Sequence, residues 1–100
     1  MSLRPGFSII IPTFNRAFCI CEAVDSVLMQ NYPDFELIVI DDGSSDGTDM
    51  LLKERYGAEM ACGRLKYLQS GHEGVSAARN KGLRAATREW AGYLDTDNRM

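Results

Sequence analysis

The chain has 100 residues, of which 45% are hydrophobic and 25% charged, enough for one domain that buries roughly 60–65% of its unfolded surface. Eleven Lys and Arg against fourteen Asp and Glu give a net charge of -3, which offers no basic field to a polyanion and argues against a nucleic-acid clamp. No stretch nears the ~20 apolar residues of a spanning helix and no export signal opens the chain, so the expected address is the cytoplasm. The three cysteines Cys19, Cys21 and Cys62 form no CxxC pair and read as free thiols, not as a disulfide framework or a four-ligand zinc site.

In chain order, Phe7 to Ile11 is a continuous apolar, β-branched run closed by Pro12, as expected of a strand buried on both faces that ends where proline removes the next donor. From Ala17 to Gln30, the apolar Ala17, Ile20, Val24, Val27 and Leu28 recur at helical steps with Pro33 just beyond, predicting a helix. Phe35 to Ile40 is a second apolar run, interrupted by Glu36, and opens into the polar Asp41 to Thr48 segment, a strand followed by a turn. Ser45 or Asp46 is placed to cap a second helix through Met50, Leu51 and Leu52, with Gly57 as its stop. Arg64 to Leu68 alternates charged and apolar residues, predicting an edge strand. Val75, Ala78, Gly82, Leu83 and Ala86 share one face of a third helix, and Trp90 to Leu94 is the fourth run.

The order is therefore βαβαβαβ, an α/β class with a Rossmann-like parallel sheet, right-handed crossovers and helices on both faces. With the first strand the most apolar and the third the most edge-like, the expected sheet order is 3-2-1-4, which sets a topological switch point between strands one and four. The post-strand segments Pro12 to Arg16, Asp41 to Thr48, Gly71 to Gly74 and Asp95 to Asn98 converge on that crevice. Asp42, Asp95 and Asp97 would crowd carboxylates there, where mutual repulsion raises their pKa values unless a cation is present. Oxygen ligands without His or Cys point to a hard divalent ion, Mg2+, Mn2+ or Ca2+, with open positions for a diphosphate.

Four segments, each on its expected element, resemble the nucleotide-sugar glycosyltransferases of family 2 with the GT-A fold. Ser8 to Arg16 resembles that family's opening strand and loop, Val39 to Thr48 its second, Gly74 to Gly82 its third helix, and Leu94-Asp95-Thr96-Asp97 its DxD motif. Singly each is a weak signal; four in the family's order are a specific one. The resemblance implies that Pro12, Thr13 and Asn15 line a nucleotide pocket, that Asp42 accepts a hydrogen bond from the base and that Arg79 faces the donor. It implies Asp95 and Thr96 against the ribose and diphosphate, and Asp97, with Asp95, on a Mn2+ or Mg2+ ion bridging the phosphates.

The implied reaction transfers a sugar, with inversion, from a nucleoside diphosphate donor, a UDP-sugar by expectation, to a glycan, lipid or protein acceptor. On this reading residues 1–100 form a single nucleotide-sugar-binding domain, the N-terminal part of a longer GT-A catalytic domain. The catalytic base and acceptor site are expected beyond Met100, as is any region holding the enzyme peripherally at a membrane face. His72 stands where the family often has Asn.

Plainer readings accompany these. Asp41 suits a turn carboxylate, His72 a loop residue, Ser44 and Ser45 caps, and Trp90, Tyr93 and Leu94 core. Arg79 is as well suited to a surface ion pair as to the donor. A receiver-like, Mg2+-binding phosphoacceptor module is the alternative function, but its acidic pair follows the first strand, where this chain has Pro12-Thr13. A non-catalytic nucleotide-binding fragment is another. A sugar nucleotidylyltransferase would need a Gly-rich basic loop after strand one, and neither GxGxxG nor GxxxxGK[ST] occurs. Strand four, apolar on both faces, is expected to be an exposed edge and to support self-association through Trp90 to Leu94.

Overall fold

A computed structural model describes residues 6–29, 35–88 and 90–94. Four parallel strands and three helices alternate: β1 (Phe7–Thr13), α1 (Ala17–Leu28), β2 (Phe35–Asp41), α2 (Thr48–Ala61), β3 (Leu65–Gln69), α3 (Val75–Ala85) and β4 (Trp90–Tyr93). The sheet order is β3-β2-β1-β4, as the apolarity of the strands predicts. Side chains alternate across the central strands, so Ile11, Leu37 and Val39 pack with Ile20, Val24, Val27, Leu52 and Tyr56 of α1 and α2, while Ile10, Ile38 and Ile40 meet Ala78 of α3. Right-handed crossovers explain the split. The first two connections step one way along the sheet and the third steps back across it, so α3 lands on the opposite face.

Several boundaries differ from expectation. β1 continues through Pro12 to Thr13, in register with Ile40 and Asp41. In a parallel strand alternate residues bond to alternate neighbours. Pro12 has the parity of Ile10, whose carbonyl accepts from Leu94 N–H of the β4 segment at 2.9 Å, and the β1–β4 pairing extends only to Ile10 and Tyr93. The missing proline N–H therefore faces past the paired part of β4 and costs β2 nothing.

The second helix passes through Gly57 and ends after Ala61. Its stop is Gly63, at φ 86°: Arg64 N–H reaches Glu59 O at 2.9 Å and Gly63 N–H reaches Met60 O at 3.2 Å, the paired bonds of a Schellman turn. The helix bends at Tyr56 (φ -123°, ψ 29°), whose hydroxyl donates to Asp25 Oδ1 at 2.5 Å and fastens α2 to α1. Burial and that bond push the Tyr56 hydroxyl well above its ordinary pKa.

On α3 the buried face consists of the small residues Ala78 and Gly82, whereas Val75 and Leu83 are exposed. The helix lies so close to β1 that a Cβ on Gly82 would stand 2.5 Å from Ile10 Cγ2. Trp90 and Tyr93 are also exposed, at 55% and 47%, not core as expected. β4 is the sheet's outer strand beside β1, and its faces lie outside both core clusters. Leu94 does pack against the α1–α2 side.

Glu36, read from sequence only as an interruption, is fully buried at the amino end of the sheet. It accepts from Ser8 Oγ at 2.7 Å and Thr87 N–H at 2.7 Å, and pairs with Lys66 Nζ at 2.9 Å. Burial alone would raise its pKa, but the bonds from Thr87, Lys66 and Ser8 hold the carboxyl down at about 2. One carboxylate thus ties β1, β2, β3 and the α3–β4 link together at the end remote from the strand-end loops.

Candidate functional site

The carboxyl ends of β1, β2 and β3 bring three loops together, as a parallel sheet requires. Pro12 is buried within β1 and Thr13 closes it, 4% exposed, its Oγ1 buried with no hydrogen-bond partner among the described residues. Asp42 N–H donates to Thr13 O at 2.8 Å, prolonging the β1–β2 pairing by one bond. Asn15, two residues past Thr13, is in the left-handed region at φ 52°. Its N–H donates to Ser44 Oγ at 2.7 Å and its Oδ1 accepts from Ser45 N–H at 2.8 Å, so the first loop is bonded to the second in both directions.

Asp42 is 6% exposed and binds the third loop. Its Oδ1 accepts from Ser70 Oγ at 2.6 Å and Glu73 N–H at 2.8 Å, and its Oδ2 accepts from Gly74 N–H at 2.9 Å. The crowding expected with Asp95 and Asp97 falls on residues outside those described. Burial pushes the Asp42 carboxyl up, but those three bonds and the charge of nearby His72 outweigh burial and lower it. Asp42 is thus a fixed anion ahead of α3, with acceptor capacity left on Oδ2.

Asp41 has the turn role expected of it: Oδ1 accepts from Ser44 N–H at 2.8 Å. Its Oδ2 also accepts a hydrogen bond from the Tyr67 hydroxyl at 2.6 Å, and burial together with this bond pushes the tyrosine up out of its ordinary range. Neither Ser45 nor Asp46 caps α2, whose N-cap is Gly47 at φ 85° with no side-chain cap bond. Asp46 instead accepts from Ala17 N–H of α1 on Oδ2 at 2.9 Å and from the Thr48 hydroxyl on Oδ1 at 2.6 Å. Ser44 is likewise no helix cap, its Oγ being the acceptor for Asn15.

Two residues outside the sequence-based set stand at the mouth. The rings of Phe14 and His72 stack at 4.5 Å with 28° between planes, and His72 Nδ1 lies 3.2 Å from Asp42 O. His72 adopts φ 60°, and its Cβ would lie 3.2 Å from a Cβ on Gly43, so glycine at 43 lets the loops close. The Gly-flanked turn around His72 is the only sequence hint of this arrangement; the stack itself depends on loops far apart in the chain.

Arg79 is half-buried on α3, its guanidinium 5.4 Å from the Tyr93 ring centre, against the strand whose end leads to the DxD segment. Asp95, Thr96 and Asp97, the expected diphosphate and metal residues, lie outside the described residues. Among the described residues no group of three or more His, Cys, Asp or Glu side chains is placed to hold a metal. Cys19, Cys21 and Cys62 are free thiols. No described helix is long and apolar enough to cross a membrane.

Comparison with known proteins agrees with this geometry. The family model for glycosyl transferase family 2 matches residues 8–100. A β-1,3-glucosyltransferase of Campylobacter jejuni, named for a GalNAc(5)-diNAcBac-PP-undecaprenol acceptor, is 35% identical over 96% of this chain and 31% of its own length. The putative teichuronic acid biosynthesis glycosyltransferase TuaG of Bacillus subtilis is 34% identical over 96% of this chain and 37% of its own. Among solved structures, a Pyrobaculum calidifontis mannosyltransferase in complex with GDP-Man and Mn2+ superposes with TM-score 0.84 at 32% identity, covering 96% of this chain and 28% of that one. TarS of S. aureus, residues 1-349 with UDP-GlcNAc, gives TM-score 0.80 at 33% identity over 92% of this chain and 26% of its own. The chain spans about a third of these two relatives' length and corresponds to the N-terminal part of the GT-A domain. With the family pattern running from Ser8 onward on the parallel sheet its solved members share, the chain belongs to glycosyl transferase family 2.

Proposed function

We propose that this chain is the single, donor-binding N-terminal domain portion of an inverting, metal-assisted glycosyltransferase that takes its sugar from a nucleoside diphosphate sugar, a UDP-sugar by expectation. The observation that carries this reading is the convergence of three bonded strand-end loops on Asp42 and on the buried, unpartnered hydroxyl of Thr13. The GDP-Man and UDP-GlcNAc complexes of its structural neighbours support it.

In this reading Pro12, Thr13 and Asn15 form the wall of the nucleotide pocket, and a ligand acceptor satisfies Thr13 Oγ1. Asp42 keeps an acceptor position on Oδ2 for an N–H of the base, while its other bonds keep it ionised and in place. Phe14 and His72 offer a ring surface at the mouth for stacking. Arg79, Asp95 and Thr96 face the ribose and diphosphate. Asp97 and Asp95, directly after β4, hold Mn2+ or Mg2+, which supplies positive charge against the diphosphate as it departs. The acceptor is a glycan, lipid or protein, and no residue of this chain is assigned as the base that activates it. The exposed β4 edge with Trp90 and Tyr93 supports self-association.

Calorimetry of UDP and of GDP with Mn2+, repeated in EDTA and with Asp97→Asn, tests the reading. Binding that needs the ion and weakens in the variant is expected. Absence of binding by either nucleotide in every arm would overturn it.

A further inference from the structure

We propose that Asp46 is a positioning residue for the donor crevice: its carboxylate clasps the first residue of α1 to the first residue of α2 and thereby holds the Asn15 turn against the Ser44-Ser45 loop. The inference rests on the donor-binding reading above. A helix begins with four N–H groups that have no partner within it, and carries partial positive charge there. Here one side chain meets such an N–H at the start of α1 and a side-chain hydroxyl at the start of α2. Oδ2 accepts from Ala17 N–H at 2.9 Å and Oδ1 from the Thr48 hydroxyl at 2.6 Å, although 29 residues separate Ala17 from Asp46.

Between these anchors lies a turn that does not hold itself. Asn15 is a non-glycine residue at φ 52°, a conformation that persists only when its surroundings impose it. The imposing bonds are Asn15 N–H to Ser44 Oγ and Ser45 N–H to Asn15 Oδ1. Three of these four bonds join the same two loops, and the fourth, from Thr48 two residues on, fixes the Asp46 carboxylate that makes one of them, so releasing Asp46 loosens the hold on Asn15 and, through it, on the Thr13 wall. Among the described residues the side chain of Asp46 bonds to Ala17 and Thr48, neither of which belongs to the nucleotide wall. Bonds from Thr48 and from the Ala17 N–H, set against its partial desolvation, hold its carboxyl below the ordinary range.

Thr48 supplies the chemical control. A threonine hydroxyl both donates and accepts, so with Asp46→Asn the amide oxygen still takes the Ala17 N–H while the amide NH2 donates to a Thr48 hydroxyl that has turned round. Asp46→Ala has no such recourse. The test compares the chain with Asp46→Ala, Asp46→Asn and the double variant Asp46→Asn with Thr48→Val, reading two quantities: amide hydrogen exchange without ligand, and calorimetric affinity for UDP and for GDP with Mn2+.

Asp46→Ala is expected to speed exchange at Ala17, Asn15 and Ser45 roughly tenfold against unchanged amides in β1 and β2, and to weaken nucleotide binding roughly three- to tenfold. Asp46→Asn restores most of both, and adding Thr48→Val removes that rescue. Unchanged loop exchange in Asp46→Ala would refute the clasp whatever the affinities. Faster exchange with unaltered affinity would refute the positioning role. A parent chain that binds neither nucleotide would overturn the donor reading and the positioning role with it, while the exchange data would still decide the clasp.

Discussion

Replacing Glu36 by Gln removes a buried charge while keeping volume and an acceptor. The carboxyl sits at about 2 in the folded chain against an ordinary value of 4.5. Because the folded value is the lower one, the stabilisation is fully present above pH 4.5 and is lost as pH falls toward 2. A gap of that size is worth about 3 kcal/mol at pH 6; at pH 3, where the carboxyl is largely protonated in the unfolded chain but still mostly ionised in the folded one, about 1 kcal/mol remains. Glu36→Gln therefore unfolds at markedly lower urea than the parent at pH 6, by about 3 kcal/mol, since Lys66 and the Thr87 and Ser8 donors lose their anion. The separation narrows by about 2 kcal/mol at pH 3. Asp42 and Asp46 also have lowered pKa values, so both proteins weaken in acid and only the change in the gap reports on Glu36. Urea titrations at the two pH values measure it. A gap that stays constant would refute the account of Glu36 as an ionised staple.

Two further outcomes follow from packing and hydrogen bonding. Gly82→Ala places a methyl 2.5 Å from Ile10 Cγ2, so the cost of about 1–3 kcal/mol for overpacking exceeds the ~1 kcal/mol gained in helix propensity; Gly57→Ala, with open space around it, stabilises instead, and thermal melts of both variants read the opposite signs. Tyr67→Phe strips Asp41 Oδ2 of the donor at 2.6 Å in a residue only 1% exposed, and is expected to cost about 1–3 kcal/mol with an unchanged denaturant slope; an unaltered urea midpoint would show that water replaces the tyrosine.

The order and class of the elements are legible in the amino-acid sequence because each rests on local periodicity: β-branched runs at Phe7 to Ile11 and Phe35 to Ile40, helical spacing at Ile20, Val24 and Val27. Sheet order follows from the same information, since Arg64 to Leu68, where charged and apolar residues alternate, belongs at an edge. The post-strand loops are legible too, and chain direction in a parallel sheet sends them all to one end. What tertiary structure alone decides is where each polar group finds its partner. Asp46 looks like a cap for the helix that follows it, yet it accepts an N–H from the helix before it and meets only a side-chain hydroxyl of the one that follows; Asp42 looks like a strand-end carboxylate and takes its bonds from a loop 28 to 32 residues on; Glu36 looks like a break in a strand and ties three strands together. Pro12 and Gly57 look like stops and are not, because the proline's absent donor faces no paired strand and the glycine meets no steric demand. Hydrogen-bond partners 26 to 51 residues apart are set by sheet register and the handedness of crossovers, which no local pattern encodes.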